Sequence, residues 1–139
     1  MDGPLKNLLV VDLTRVLVGP YCTMILSDLG ARVIKVEAPE IGDDSRKFGP
    51  FVEDYSAYFM SLNRGKESIA LNLKNSDDKK IFDKILSKAD ILVENFKPGT
   101  LKKWGYDWKE VSKKFPKLIY ASASGFGQTG PLKELPAYD

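Results

Sequence analysis

Histidine is absent from the 139 residues, and cysteine occurs once, at Cys22. A Ser-His-Asp relay, a Cys-His pair and a histidine metal site therefore have no basis within the chain. Cys22 sits among apolar residues at helical spacing and reads as a buried structural thiol, not a nucleophile. What the sequence does offer is cations placed in or just after the turns that follow short apolar runs: Arg15, Arg46, Lys74, Lys97 and Lys103. In an open parallel sheet, ligands bind beyond the carboxyl ends of the strands, where helix starts present unpaired N–H groups suited to phosphate. Taken singly, each of these cations is an ordinary solvated side chain. Their predicted placement along one sheet edge points to an anionic ligand.

Other candidate chemistry reads as structure. Residues 125–130, Gly-Phe-Gly-Gln-Thr-Gly, fit G-x-G-x-x-G formally, but they follow the fifth apolar run and precede Pro131 and Pro136. That context favours a tight loop over a dinucleotide fingerprint. The first run leads instead into residues 14–20, which hold no glycine cluster, so Glu37 has no glycine turn to partner as a ribose-binding acid. Asp43 and Asp44, after Gly42, read as turn residues. Trp104 and Trp108 flank Gly105 and read as packing anchors.

The elements that position these residues alternate. Residues 8–13, 32–36, 68–73, 90–94 and 118–123 are short, apolar and without strict alternation, as expected of buried parallel strands. Between them lie helical patterns. The first opens at Gly19-Pro20, with Pro20 at the first helical position, carries Tyr21, Cys22, Ile25, Leu26 and Leu29, and stops at Gly30. It has few polar positions and is expected to be well covered. Residues 37–55 read as a long loop, with a short helix starting near Tyr58. Asn75 or Ser76 caps the next helix, whose stripe is Ile81, Phe82, Ile85, Leu86 and Ala89. Asp107 and Glu110 resemble a capping box ahead of Trp108, Val111 and Phe115. The pattern predicts an α/β fold: a Rossmann-like open, mostly parallel sheet with helices on both faces. Residues 136–139 bring no closing element, so an incomplete domain is expected.

Composition narrows the field. With 21 basic and 19 acidic residues the net charge is +2, too balanced for a nucleic-acid binder. A single cysteine allows no intrachain disulfide and suits a reducing compartment. Residues 1–7 carry no basic region leading into a long apolar run, and the first apolar run halts at Asp12. No signal peptide or membrane span is read there, and the cytoplasm is expected.

Four blocks in order resemble one family. Val11-Asp12-Leu13-Thr14 with Gly19-Pro20, then residues 30–37 with Gly42-Asp43 and Arg46, look like the opening of class III CoA-transferases, which include formyl-CoA and carnitine CoA transferases. Asn63-Arg64-Gly65-Lys66 leading to Leu71-Asn72-Leu73-Lys74 is similar to a second block, residues 93–99 to a third, and residues 124–131 ending in Tyr138-Asp139 to a fourth.

The resemblance implies a Rossmann-like domain of which residues 1–139 are the N-terminal part. It implies an interlocked homodimer, and CoA or acyl-CoA as substrate with a small carboxylic acid, no cofactor being permanently bound. Carried over residue by residue, Arg15, Val16, Leu17 and Val18, then Leu71, Leu73 and Lys74, then Asn95, Phe96 and Lys97 would line CoA, with Lys103 near the nucleotide phosphates and Tyr138 beside the site. Lys103 stands where relatives often carry an arginine, and a lysine is a point charge rather than a fork. Ala38 stands where some relatives carry a basic residue. The family's chemistry uses an aspartate nucleophile and an aspartyl-CoA thioester; that aspartate belongs to a motif beyond residue 139, so this chain alone is expected to be inactive. The α-methylacyl-CoA racemases resemble the same region but place a histidine where Tyr138 stands. A phenol with an ordinary pKa of about 10 suits proton exchange poorly, which favours transferase over racemase. A non-catalytic CoA- or nucleotide-binding module is the further alternative.

Overall fold

The five apolar runs form one parallel sheet. The computed structural model describes residues 3–137. Within them the strands are β1 (Leu9–Asp12), β2 (Arg32–Glu37), β5 (Glu67–Ala70), β6 (Ile91–Glu94) and β7 (Ile119–Ser122), in the order β5-β2-β1-β6-β7. Every pairing in this sheet is parallel. The chain builds outward from β1 to one edge, then returns to build the other from β6. The strand order therefore reverses beside β1, the kind of switch point at which doubly wound sheets open a crevice.

Side chains alternate across the sheet. Val11, Val36 and Leu92 join one core cluster with Phe82, Leu86, Tyr106 and Val111, which are supplied by α3 (Ser76–Leu86), the turn after α4 (Thr100–Trp104), and α5 (Trp108–Lys114). Val10, Val33 and Val93 join a second cluster on the opposite face, with Leu26 of α1 (Val18–Asp28) packed against it. The α3 stripe forms because Asn75 caps the helix by accepting from the Asp77 and Asp78 amides. Phe82 is then fully buried and meets Tyr106 edge-on at 4.9 Å between ring centroids. Asp107 caps α5 through the Glu110 amide.

Several expectations need correction. The third strand ends at Ala70, not Leu73: the Leu71 amide makes the last bond to β2, at the Glu37 carbonyl, and the chain then turns, the Lys74 amide being taken up by the Asn72 side chain. The long loop is partly ordered by a 3₁₀ turn (Asp44–Lys47) and a two-residue antiparallel pairing of β3 (Phe51–Val52) with β4 (Tyr55–Ser56), which leads into α2 (Ala57–Asn63). Finally, α1 is not well covered and Cys22 is exposed. The helix turns Gly19, Pro20, Thr23, Met24 and Ser27 inward, while Val18 (65% exposed), Tyr21, Ile25 and Leu29 face outward. Its inner face is chosen by polar contacts below it, so apolar spacing alone pointed the helix the wrong way round. Trp108 is likewise 57% exposed, touching Tyr120 by its edge rather than anchoring the core.

Truncating Phe82 to alanine leaves a ring-sized void between α3 and Tyr106. Phe82→Ala is expected to lower unfolding free energy by about 3–5 kcal/mol in urea titrations, against less than about 0.5 kcal/mol for Lys80→Ala on the solvated side of α3.

Candidate functional site

Because all five strands run the same way, the turns after β1, β2, β5 and β6 lie along one edge of the sheet. There the chain forms a cleft of about 420 Å³. Its walls are residues 13–15 after β1, the end of β2 (Lys35, Val36 and Glu37) with the loop 38–43, the turn 71–74, and the aromatic pair Phe96 and Trp104. Those two rings pack edge-on at 5.3 Å. The guanidinium of Arg15 lies 5.5 Å from the centre of the Phe96 ring and 3.1 Å from Asp44 Oδ2. The floor is apolar, and Arg15 and Lys74 stand exposed at its margin.

Beneath the cleft sits a concentration of buried charge. Asp12, at the end of β1, has no exposed surface. Its Oδ1 accepts from the Thr14 amide (2.8 Å) and hydroxyl (2.5 Å), and its Oδ2 from the Thr23 hydroxyl (2.6 Å) and the Lys66 ammonium (3.0 Å). Lys66, its side chain only 2% exposed, also donates to Pro20 O and Asn63 Oδ1, so all three of its N–H groups are matched. Burial nonetheless outweighs Asp12 and draws the Lys66 ammonium below its ordinary pKa. A second buried ammonium, Lys35 in β2, donates to Thr14 O at 2.8 Å and lies 2.9 Å from Asp43 Oδ2, an ion pair.

Asp43 then reaches back to the first turn. Its Oδ1 accepts from the amides of Val16 (3.1 Å) and Ser45 (2.9 Å) and from the Ser45 hydroxyl (2.7 Å). Burial opposes ionisation of Asp43, but Lys35 and the Ser45 donors prevail and hold its carboxyl below the usual range. Glu37 behaves alike: burial is countered by a two-pronged contact from Arg46 (2.8 and 2.7 Å), by Ser68 and by the Asp43 amide. Arg46 in turn stacks 3.8 Å over the Phe59 ring. Both Arg46 and Glu37 are thereby committed to one another.

The turn after β1 has an unusual backbone. Val16 has φ of +68°, a conformation that a β-branched residue rarely adopts and that costs on the order of 1–3 kcal/mol. The backbone groups from the Thr14 carbonyl to the Val16 amide are each claimed by a side chain of another segment. Asn95 accepts from the Arg15 amide and donates to the Arg15 carbonyl, both at 2.8 Å, as a strand neighbour would. Gly19 closes the turn: a Cβ there would lie 2.2 Å from Thr14 Cβ, inside the Asp12 cluster.

Of the residues singled out in the sequence, Arg15, Leu71, Leu73, Lys74 and Phe96 line this cleft. Leu71 and Leu73 do so while largely buried in the core. Val16, Leu17 and Val18 continue the first turn into α1 and are not part of the cleft lining. Asn95 acts through the Arg15 backbone. Lys97 lies instead in a neighbouring cleft of about 570 Å³ with Trp108, Tyr120 and Gln128, and Lys103, exposed on α4, lines neither. Tyr138 lies outside the described residues. Sequence reasoning missed Lys35, Asp12 and Lys66. A lysine between the apolar residues Ile34 and Val36 of an interior strand was the available signal, since a buried ammonium requires a partner. Glu94, on the second cleft, is a further buried carboxylate. Burial pushes its pKa up against hydrogen bonds from the Ser122 hydroxyl and the Phe96 amide.

An open parallel sheet with a ligand-sized cleft at its strand ends defines an α/β, Rossmann-like protein. Comparison with known proteins goes further. The model of CoA-transferase family III matches residues 5–139, and the chain belongs to that family. Acetyl-CoA:oxalate CoA-transferase of Acetobacter aceti is 58% identical over 137 residues, covering 99% of this chain and 35% of the relative. Succinyl-CoA:glutarate CoA-transferase of Homo sapiens is 47% identical over 137 residues, covering 98% and 31%. A crystal structure of a CAIB/BAIF family protein from Brucella suis superposes with a TM-score of 0.93 at 44% identity, covering 100% of this chain and 38% of that one. The chain thus spans about a third of the length of the curated relatives it matches. Among the described residues no helix is long and apolar enough to cross a membrane.

The lowered carboxyls set a pH dependence. Asp43 and Glu37 favour the folded state when ionised, so their contribution is present above the ordinary carboxylate pKa of about 4 and is lost as pH falls through their lower folded values. Glu94 has the opposite sign: its contribution is present at low pH and is lost as pH rises through its raised folded value. Melts followed by circular dichroism are expected to fall in temperature as pH drops below about 4. Asp43→Asn should lower the melt at neutral pH and flatten that acid limb; an unchanged limb would rule out the Lys35–Asp43 pair as its source.

Proposed function

We propose that this chain supplies part of the CoA site of a CoA-transferase, the cleft at the carboxyl edge of the sheet receiving CoA. The observation that carries this reading is the cleft itself: an apolar floor of Leu71, Leu73 and Phe96 with Arg15 and Lys74 at its margin. An apolar trough suits the pantetheine arm, and cations at the rim suit phosphates. The relatives' names support the reaction class, transfer of CoA from an acyl-CoA to a carboxylic acid.

In the proposed sequence a carboxylate attacks the thioester carbonyl, releasing CoA thiolate and leaving a mixed anhydride. The thiolate then attacks the enzyme's acyl carbon, releasing the donor acid and forming an aspartyl-CoA thioester. The acceptor carboxylate repeats the two steps in reverse. The nucleophile is proposed to lie on polypeptide outside residues 1–139, which form part of the large α/β domain of a cytoplasmic homodimer. Val16, Leu17, Val18, Asn95, Lys97 and Lys103 remain proposed CoA neighbours, Lys97 from the second cleft and Lys103 from the exposed side of α4. The 58% identity to the acetyl-CoA:oxalate enzyme makes acetyl-CoA and oxalate the first donor and acceptor to assay.

Titration calorimetry of CoA into the intact protein containing residues 1–139 tests the site. Arg15→Ala and Lys74→Ala are each expected to weaken binding by about tenfold, the loss of one charge-assisted contact. No heat at millimolar CoA would overturn the proposal. The 139-residue chain alone is expected to transfer no CoA between acids, as read by thioester exchange.

A further inference from the structure

The Lys35–Asp43 pair is almost wholly buried in the wall of the cleft, and its hydrogen bonds converge on the turn after β1, where Val16 is strained. Lys35 holds the Thr14 carbonyl, and Asp43 holds the Val16 amide, two residues further on. Between them the Arg15 amide and carbonyl are held by Asn95. Three side chains from β2, the loop after it and the turn after β6 therefore fix four consecutive backbone groups from Thr14 O to Val16 N. A valine has no steric reason to remain at φ of +68°. Without its acceptor the Val16 amide would relax to an ordinary φ, carrying the Arg15 side chain away from Phe96 and the cleft.

We propose that Asp43, oriented by Lys35, is a positioning residue for CoA: it holds Val16 in the left-handed conformation that presents Arg15 to the cleft. This rests on the reading of the cleft as a CoA site. Asp43 does not need to touch the ligand. Its buried charge would make the binding-competent turn the dominant state before CoA arrives, and apparent affinity falls in proportion as the competent fraction falls. A purely local role, stapling the loop through Ser45, would leave the first turn indifferent to Asp43.

The test uses the intact protein containing residues 1–139, with CoA as the probe. Asp43→Ala is expected to weaken CoA binding by about tenfold. It should also speed amide exchange in the peptide spanning residues 14–18, while peptides of β1 and β6 keep their protection. Glycine adopts φ above zero without steric cost, so Asp43→Ala/Val16→Gly should regain most of the lost affinity although the amide at 16 still has no acceptor. Val16→Pro leaves Asp43, Lys35 and Ser45 in place but forbids the left-handed turn; it should bind CoA at least as poorly as Asp43→Ala, and it serves should Asp43→Ala fail to fold. A folded Asp43→Ala that binds CoA within about twofold of wild type overturns the proposal, as does a Val16→Pro of wild-type affinity or a double variant with no recovery. Wild-type protein that binds no CoA would instead sink the CoA reading. The exchange comparison would then still report whether Asp43 holds the turn.

Discussion

Two lysine ammonium groups and two aspartate carboxylates, nearly dry, sit under the carboxyl edge of the sheet: Asp12 with Lys66 and Lys35 with Asp43. Each charge would be costly alone, and removing one member of such a pair costs about 3–5 kcal/mol because its partner is left buried. The two pairs share Thr14, which gives its amide and hydroxyl to Asp12 and its carbonyl to Lys35. The end of β1, the start of α1, the loop after β2 and the segment after α2 are therefore bound into one unit. An ion pair between apolar layers adds little net stability over a well-packed hydrophobic substitute, but it admits only one arrangement of its surroundings. That selectivity suits the floor of a cleft, where the turns must hold their geometry without help from a packed core above.

The same unit explains the orientation of α1. Thr23 must reach Asp12, Gly19 must pass against Thr14, and Ser27 donates to the Gly65 carbonyl. These three requirements sit on one helical face, so the polar and small residues point inward. Val18, Tyr21, Ile25 and Leu29 are left facing outward. An exposed apolar row of this kind is unusual on a self-sufficient domain, and the chain spans about a third of the length of its matched relatives. Opposite, Phe82 and Leu86 of α3 and Val111 of α5 follow the ordinary rule and are buried in the cluster with Val11, Val36 and Leu92.

The fold was largely legible because its signals are local. Short apolar runs, an Asn75 cap and the Asp107 cap depend on neighbours within a few residues; both caps appear where the sequence put them, and each of the five runs holds a strand. The end of the third strand was misjudged because Leu71 and Leu73 are apolar for a different reason: they fill the core beside the cleft, and the bonding to β2 stops at the Leu71 amide. Arg46 shows the limit for the site. Its position after β2 matched a phosphate-binding cation, yet the structure spends it on Glu37 and Phe59.

By itself, the sequence determined the alternation of strands and helices, the family, and the edge at which the cations gather. Periodicity, caps and motif blocks are written in residue order. Only the tertiary structure decided which charges are buried against one another, which face of α1 turns inward, and that Val16 is held left-handed. Asp43 and Val16 are 27 residues apart and Asn95 and Arg15 are 80 apart. Contacts over such separations exist only after the sheet has closed, because it is desolvation on closure that makes each buried charge require its partner.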